Sequence, residues 1–194
     1  MTTLLAFDTS AAHCAAALLS GNRILAERVE EMSRGQAERL MPLLEEVLAE
    51  AGLGWRDLDG IGVGTGPGNF TGLRIAVAAA RGLALGLGVE AVGVSAFEAL
   101  ADGAPQPCSA IVTAPRGQVY QQTFTADGMT EPALTPGDEA PADALPPIGP
   151  DEAVRRIARI AARRLGTGAP RPAPLYVRAA DAAPPSDPPP VILR

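Results

Sequence analysis

No lysine occurs anywhere in the 194 residues, so all of the chain's basic side chains are arginine. That absence excludes a lysine Schiff base, a pyridoxal site and the lysine of a phosphate-binding P-loop, each of which needs an ammonium the chain does not have. Histidine is almost as scarce, with His13 the one example, and the two cysteines, Cys14 and Cys108, lie far apart. One imidazole and two distant thiols do not make a zinc centre, and no metal is expected. Without a CxxC pair the cysteines read as buried thiols in a reducing compartment, ahead of a disulfide. A Ser-His-Asp assembly would have to come from Ser10, His13 and Asp8, within six residues of one strand-turn segment, where they are not expected to converge as a triad requires. Positive charge is short overall: the net charge is -6 and the pI near 4.8. Charge-driven binding to nucleic acid needs clustered cations, so any contact with RNA is expected to be indirect. No run approaches the roughly 18 apolar residues of a membrane span, and Met1 leads straight into a strand-like run. A cytoplasmic protein with no membrane contact is expected.

What is present is a globular composition, 47% hydrophobic, long enough for one sizeable domain or two small lobes. Residues 3 to 7, Cys14 to Leu19 and Arg23 to Val29 read as three strands, the last two a hairpin about Ser20-Gly21-Asn22. Leu40, Met41, Leu43, Leu44, Val47, Leu48 and Ala51 recur at helical spacing, which predicts an amphipathic helix over 36–51 with Ser33 as N-cap and Gly52 as stop. A short strand at Gly60 to Gly64 leads into a glycine-rich loop at 64–72, and a second helix is predicted at about 71–87. That helix is apolar nearly all round, broken only by Arg74 and Arg81; it is either a core helix or one whose outer face meets a partner. A strand at 91–94, a helix at 95–101 and strands at about 109–113 and 117–124 follow. From Pro105 onward 17 of the 19 prolines accumulate. Residues 128–150 and 182–190 are expected to be loops, with one helix at 151–165. It places Val154, Ile157, Ile160, Ala161 and Leu165 inward and Arg155, Arg156, Arg159, Arg163 and Arg164 on a solvated face.

Two stretches are candidates for chemistry. The loop's consecutive glycine amides ahead of a helix suit an anion, with Gly66 and Gly68 the candidate donors. Its spacing nevertheless fits neither GxxxxGK[ST] nor GxGxxG, and a tight turn for close strand-helix packing explains the glycines equally well. Asp8, Thr9 and Ser10 end the first strand, where actin-like folds place a carboxylate and hydroxyls near phosphate or magnesium; Asp8 serves equally well as a turn cap.

Taken together, LLAFDTS at 4–10, SRGQAERLMPLLEEVL at 33–48, GVGTGPGNFTGLRIAVAAARGLALGL at 62–87, VGVSAFEALA at 92–101, RGQVYQQTF at 116–124 and PLYVRAADA at 174–182 resemble the bacterial TsaB (YeaZ) family. The six segments stand in the family's order and cover most of the chain. GPGNFTGLRIA is the most specific. The resemblance implies an α/β, actin-like ASKHA (ribonuclease H-like) fold of two lobes, the second small or reduced. The first lobe would span 1–100 and the second 101–181, including the proline-rich 128–150, with a proline-rich tail at 182–194.

The resemblance also implies a role. TsaB proteins support TsaD, which places threonylcarbamoyl groups on tRNA next to the anticodon, together with TsaE, and they pair with TsaD or with themselves through their first two helices. This chain is then expected to be a non-catalytic subunit with no cofactor. Its anion site at Asp8, Thr9, Ser10, Gly66 and Gly68 would be vestigial, and Leu40, Leu44, Leu73, Arg74, Ile75 and Val77 would lie on or beside the partner-binding helices. Gln36 stands where many family members carry histidine. Thr113 stands where they often carry aspartate, so a second phosphate-side acid is missing. The competing readings are a small ASKHA-type ATP-binding phosphotransferase or ATPase using Asp8 and the glycine loop, and, weakest, a metalloprotease.

Overall fold

Three consecutive antiparallel strands open the chain: β1 (Thr3–Asp8), β2 (His13–Ser20) and β3 (Arg23–Glu31). The computed structural model describes residues 1–177. β1 and β2 are buried almost throughout, as their unbroken apolar runs require when both faces of a sheet are covered. β3 is partly exposed and carries Glu27, Arg28, Glu30 and Glu31, side chains suited to an edge strand. β4 (Gly60–Gly64) and β5 (Glu90–Val94) join in parallel, giving a five-stranded sheet in the order β3-β2-β1-β4-β5.

Each face of this sheet has its own core. Leu5, Phe7, Cys14, Ala16, Leu18, Ile61 and Val63 point to one side and meet α1 (Gln36–Glu50) and α2 (Phe70–Leu87). Leu4, Ala6, Ala15, Ala17, Leu19, Val92 and Val94 point to the other and meet α4 (Pro150–Arg164). α1 begins differently from expectation: its cap is Gly35, held at φ 91°, with no side-chain cap from Ser33. α2 follows the reading closely and is capped by Asn69, whose side chain accepts from the Gly72 amide at 2.9 Å. α2 is long and apolar enough to cross a membrane by length and composition, contrary to the reading that no stretch comes close. Gly72, Leu73, Ala76, Val77, Ala80 and Ala84 nevertheless bury one side of it in the protein. Burial pushes the Cys14 thiol up to about 11, as suits a thiol packed as a small apolar group, and Cys14 and Cys108 are both free.

The second lobe is small. α3 (Ala96–Ala101) packs on a four-stranded antiparallel sheet of β6 (Cys108–Thr113), β7 (Gln118–Thr125), β8 (Gly128–Met129) and β9 (Ala133–Pro136). Two short strands thus occupy part of the 128–150 segment read as loop. β9 pairs antiparallel with β7, Leu134 lying opposite Tyr120. Among the described residues, Phe97, Leu100 and Ala110 form the buried part of this lobe's core. α4 follows these strands in sequence but packs on the first sheet, so residues 101–177 do not form one lobe. Residues 178–181 of the second segment, and the tail expected at 182–194, lie outside the described residues.

The face of α4 read as solvated is instead spent on ion pairs. Arg155 pairs with Glu27 of β3, Arg163 with Asp102, and Arg164 with Glu98 of α3. Arg156 donates to the carbonyls of Ala99, Leu100 and Asp102, which are the open acceptors at the end of α3. Sequence periodicity cannot show this, because a charged stripe looks the same whether it faces water or acidic neighbours.

Glu98 closes a capping box with Ser95 and holds Arg164 as well. Burial raises this carboxyl's proton affinity, but Arg164 and the Ser95 amide more than offset that and hold it below its ordinary value near 4.5. A lowered folded-state value adds stability above the unfolded value and loses it as pH falls through the folded one. Glu98→Gln is therefore expected to cost about 2 kcal/mol at neutral pH. It should also flatten the fall of melting temperature below pH 4.5, read by thermal unfolding at a series of pH values.

Candidate functional site

The lobes enclose a cleft of about 1420 Å³, lined by the end of β1, the glycine loop, the first turns of α1 and α2, and the inner residues of the second lobe. Its polar floor is Asp8, with its carboxylate 8% exposed. Asp8 Oδ1 accepts from the Ser10 amide at 3.2 Å, and Oδ2 from Ser10 Oγ at 2.8 Å; His13 Nε2 lies 3.0 Å from the same Oδ2. The three residues do meet, which the linear reading did not foresee, because β2 returns antiparallel beside β1 and brings His13 back to Asp8. Their order is wrong for nucleophilic catalysis: the carboxylate sits between serine and histidine, whereas a triad needs the imidazole there to take the serine proton.

Thr9 is fully buried and points away from the cleft, donating from Oγ1 to the Gly72 carbonyl at 2.7 Å. It ties β1 to α2 and does not contribute to an anion site. The glycines of the loop answer the question the sequence left open. A Cβ on Gly64 would overlap the Asp8 carboxylate, one on Gly68 the Ser10 carbonyl and one on Gly72 the Thr9 carbonyl. Gly66 adopts φ +89°, in the left-handed region that glycine favours. The Asn69 amide, in the middle of the loop, is spent on the Ser10 carbonyl at 2.6 Å. Close backbone packing of the turn after β1 against the start of α2 thus accounts for the loop, and a phosphate cradle is not needed to explain it.

At the cleft mouth Arg74 lies over the Phe70 ring, 3.7 Å from its centroid, and its Nε donates to Tyr176 Oη at 3.0 Å. The Phe70 and Tyr176 rings are 5.0 Å apart. Gln36 and Thr113 both line the cleft, and Asp8 is the single acidic residue among its described lining. No group of three or more metal-ligating side chains occurs among the described residues.

The proposed interface residues divide. Leu40, Leu44, Leu73 and Val77 are 3% exposed or less and belong to the core beneath α1 and α2. A side chain covered by its own chain offers no area to a partner, so these four are corrected to core. Ile75 is half-buried and Arg74 exposed. The outer face of α2 is formed instead by Ala78, Arg81, Gly82, Leu85 and Gly86, all exposed, residues the apolar pattern could not sort into inside and outside.

Comparison with known families matches residues 23–172 to the model of TsaD, tRNA N6-adenosine threonylcarbamoyltransferase. The chain belongs to the TsaD family. No curated protein matches the sequence significantly. Among solved structures, YeaZ from Pseudomonas aeruginosa is 28% identical with a TM-score of 0.71, over 91% of this chain and 100% of that one. An uncharacterized protein with similarity to peptidase YeaZ from Pseudomonas aeruginosa is 27% identical with a TM-score of 0.74, over 92% and 100%. This TsaD-family chain therefore has the ASKHA fold implied by its sequence, in a YeaZ-like form that spans the whole of both structures.

Proposed function

We propose that this chain is the non-catalytic, YeaZ-like subunit of a tRNA-modifying assembly. It binds and activates a TsaD subunit, acts beside TsaE within that complex, and meets tRNA only through it, in the cytoplasm. Membership of the TsaD family and likeness to YeaZ support a place in tRNA modification. The observation that carries the partner role is the outer face of α2. Gly82 and Gly86 lie inside the helix and a Cβ on either meets nothing within 4 Å, while Leu85 is 85% exposed. Interior helix glycines each cost roughly 0.5–1 kcal/mol relative to alanine, and nothing among the described residues repays it. Close approach of another helix does, because small residues let two backbones pack tightly.

Light scattering coupled to size exclusion, on this chain alone and mixed with its cognate TsaD, tests the proposal. The expected result is a heteromeric complex in which threonylcarbamoyladenosine forms on tRNA, with little or none formed by TsaD alone. Modification that proceeds equally without this chain would refute it.

A second reading, a small ATP-binding phosphotransferase or ATPase, is favoured by the size of the cleft and the carboxylate on its floor. Calorimetric titration of the isolated chain with magnesium and ATP separates the two. Tight binding that is lost in Asp8→Asn supports the enzyme reading, and heat indistinguishable from dilution supports the subunit reading.

A further inference from the structure

Residues 165–177 leave α4 and run back across the end of the first sheet without forming a helix or a strand. The Gly166 amide donates to the Glu90 carboxylate of β5 at 2.7 Å, Pro172 is buried beside Gly93, and the Leu175 amide donates to the Thr65 carbonyl of the glycine loop at 2.8 Å. The last three described residues then divide between the lobes. Leu175 and Val177 pack on the core of the second lobe. Tyr176 turns to the first, its ring on Phe70 and its hydroxyl accepting from Arg74. This strap spans the cleft mouth, and all three residues line it.

The root and the tip of the strap are held differently. Pro172 is buried and Leu175 is tied through its backbone, but Tyr176 is 43% exposed, and Phe70 and Arg74, on which it rests, are exposed as well. Arg74 also begins the exposed stripe Arg74, Ala78, Arg81, Gly82 and Leu85 on the outer face of α2. One side chain thus belongs both to the cleft mouth and to the surface read as meeting a partner. Arg74 and Arg81 are the only charged residues of α2, so that surface suits an acidic partner. Among the described residues no carboxylate pairs with Arg74, whose Nε is spent on a neutral phenol. A carboxylate brings its charge and can accept two parallel bonds from a guanidinium, so it outcompetes a single bond to a phenol. An acidic side chain that takes Nε on the first turn of α2 displaces Tyr176.

We propose that Tyr176 is a latch across the cleft mouth, and that a partner docking on the outer face of α2 releases it by placing a carboxylate on Arg74. The tip swings away while the root stays on the sheet. The apolar walls of the cleft, Val112, Tyr120 and Ile148 among them, then open to solutes. The release step rests on the reading of α2 as an association surface. Access to the cleft thereby depends on assembly: the isolated subunit keeps it shut, and the complexed one opens it.

Access is read from the rate at which a bulky maleimide labels Val112→Cys in a Cys108→Ser background, followed by mass spectrometry of this chain; Cys14 is fully buried and stays silent. Adding Tyr176→Ala should raise that rate about tenfold, the scale of one aromatic contact with its hydrogen bond. Tyr176→Phe, which keeps the ring and loses the acceptor, should raise it less. Hydrogen exchange at the Leu175 amide should be unchanged in both, because the root is untouched. Saturating cognate TsaD should speed labelling of the chain with Tyr176 intact to the Tyr176→Ala rate, and should not speed Tyr176→Ala further. Equal rates in all variants without TsaD, or loss of Leu175 protection in Tyr176→Ala, overturn the latch. TsaD that binds by size exclusion and leaves the rate unchanged overturns the release and leaves the subunit reading intact. A chain that forms no complex fails the subunit reading itself and the release with it, which the chromatogram shows before any labelling.

Discussion

Gly72→Ala is expected to destabilise the chain by at least about 3 kcal/mol, a loss that the overpacking of a rigid site can reach. For a chain of this size that corresponds to a fall in melting temperature of roughly 10 °C. Gly72 lies in the first turn of α2, where alanine would ordinarily be the better residue. Here the added methyl would overlap the Thr9 carbonyl oxygen, and Thr9 cannot move away because its own hydroxyl is bonded to the Gly72 carbonyl. Both atoms are backbone or locked to backbone, so neither can give. Differential scanning calorimetry of wild type and variant reads the effect. A melting temperature within a degree or two of wild type would mean that the turn after β1 is more yielding than its packing implies, and would reopen the glycine loop as a site with room for a ligand.

The second large effect belongs to a glycine ten residues further along the same helix. Gly82→Ala is expected to raise the stability of the isolated chain by roughly 0.5–1 kcal/mol, because its Cβ enters open space and the unfolded chain loses freedom. Gly82→Leu should leave the isolated fold intact while weakening binding to TsaD on the order of 100-fold, the scale of a central interface residue. Threonylcarbamoyladenosine on tRNA should fall with it. Calorimetric melting of the monomer and titration against TsaD separate the two effects. If Gly82→Leu binds TsaD like wild type, the outer face of α2 is not the contact surface.

Much of this arrangement could be read from residues alone. The buried strands, both long helices and the glycine loop announce themselves by runs and spacing, and six ordered segments carry the family. What escaped the sequence has a common physical cause. Whether Leu73 or Leu85 faces inward depends on how α2 is rolled on the sheet, and an all-apolar helix gives periodicity no polar face to mark. The arginines of α4 form a clear stripe, yet their acidic partners come from β3 and α3, more than fifty residues away. The meeting of Asp8, Ser10 and His13 depends on strand pairing, which brings β2 back beside β1, and the glycines needed sight of the carbonyls they press against.

The position of α4 has a consequence for how the molecule is made. One side of the first sheet, with Leu4, Ala6, Ala15, Ala17 and Leu19, is covered by residues 150–164. As the chain emerges from the ribosome, nine strands and three α-helices are synthesised before the helix that covers this apolar surface. That face is covered only when α4 arrives. A nascent chain that stalls before α4 presents a bare, aggregation-prone surface, and a fragment cut near residue 100 lacks the helix that covers it.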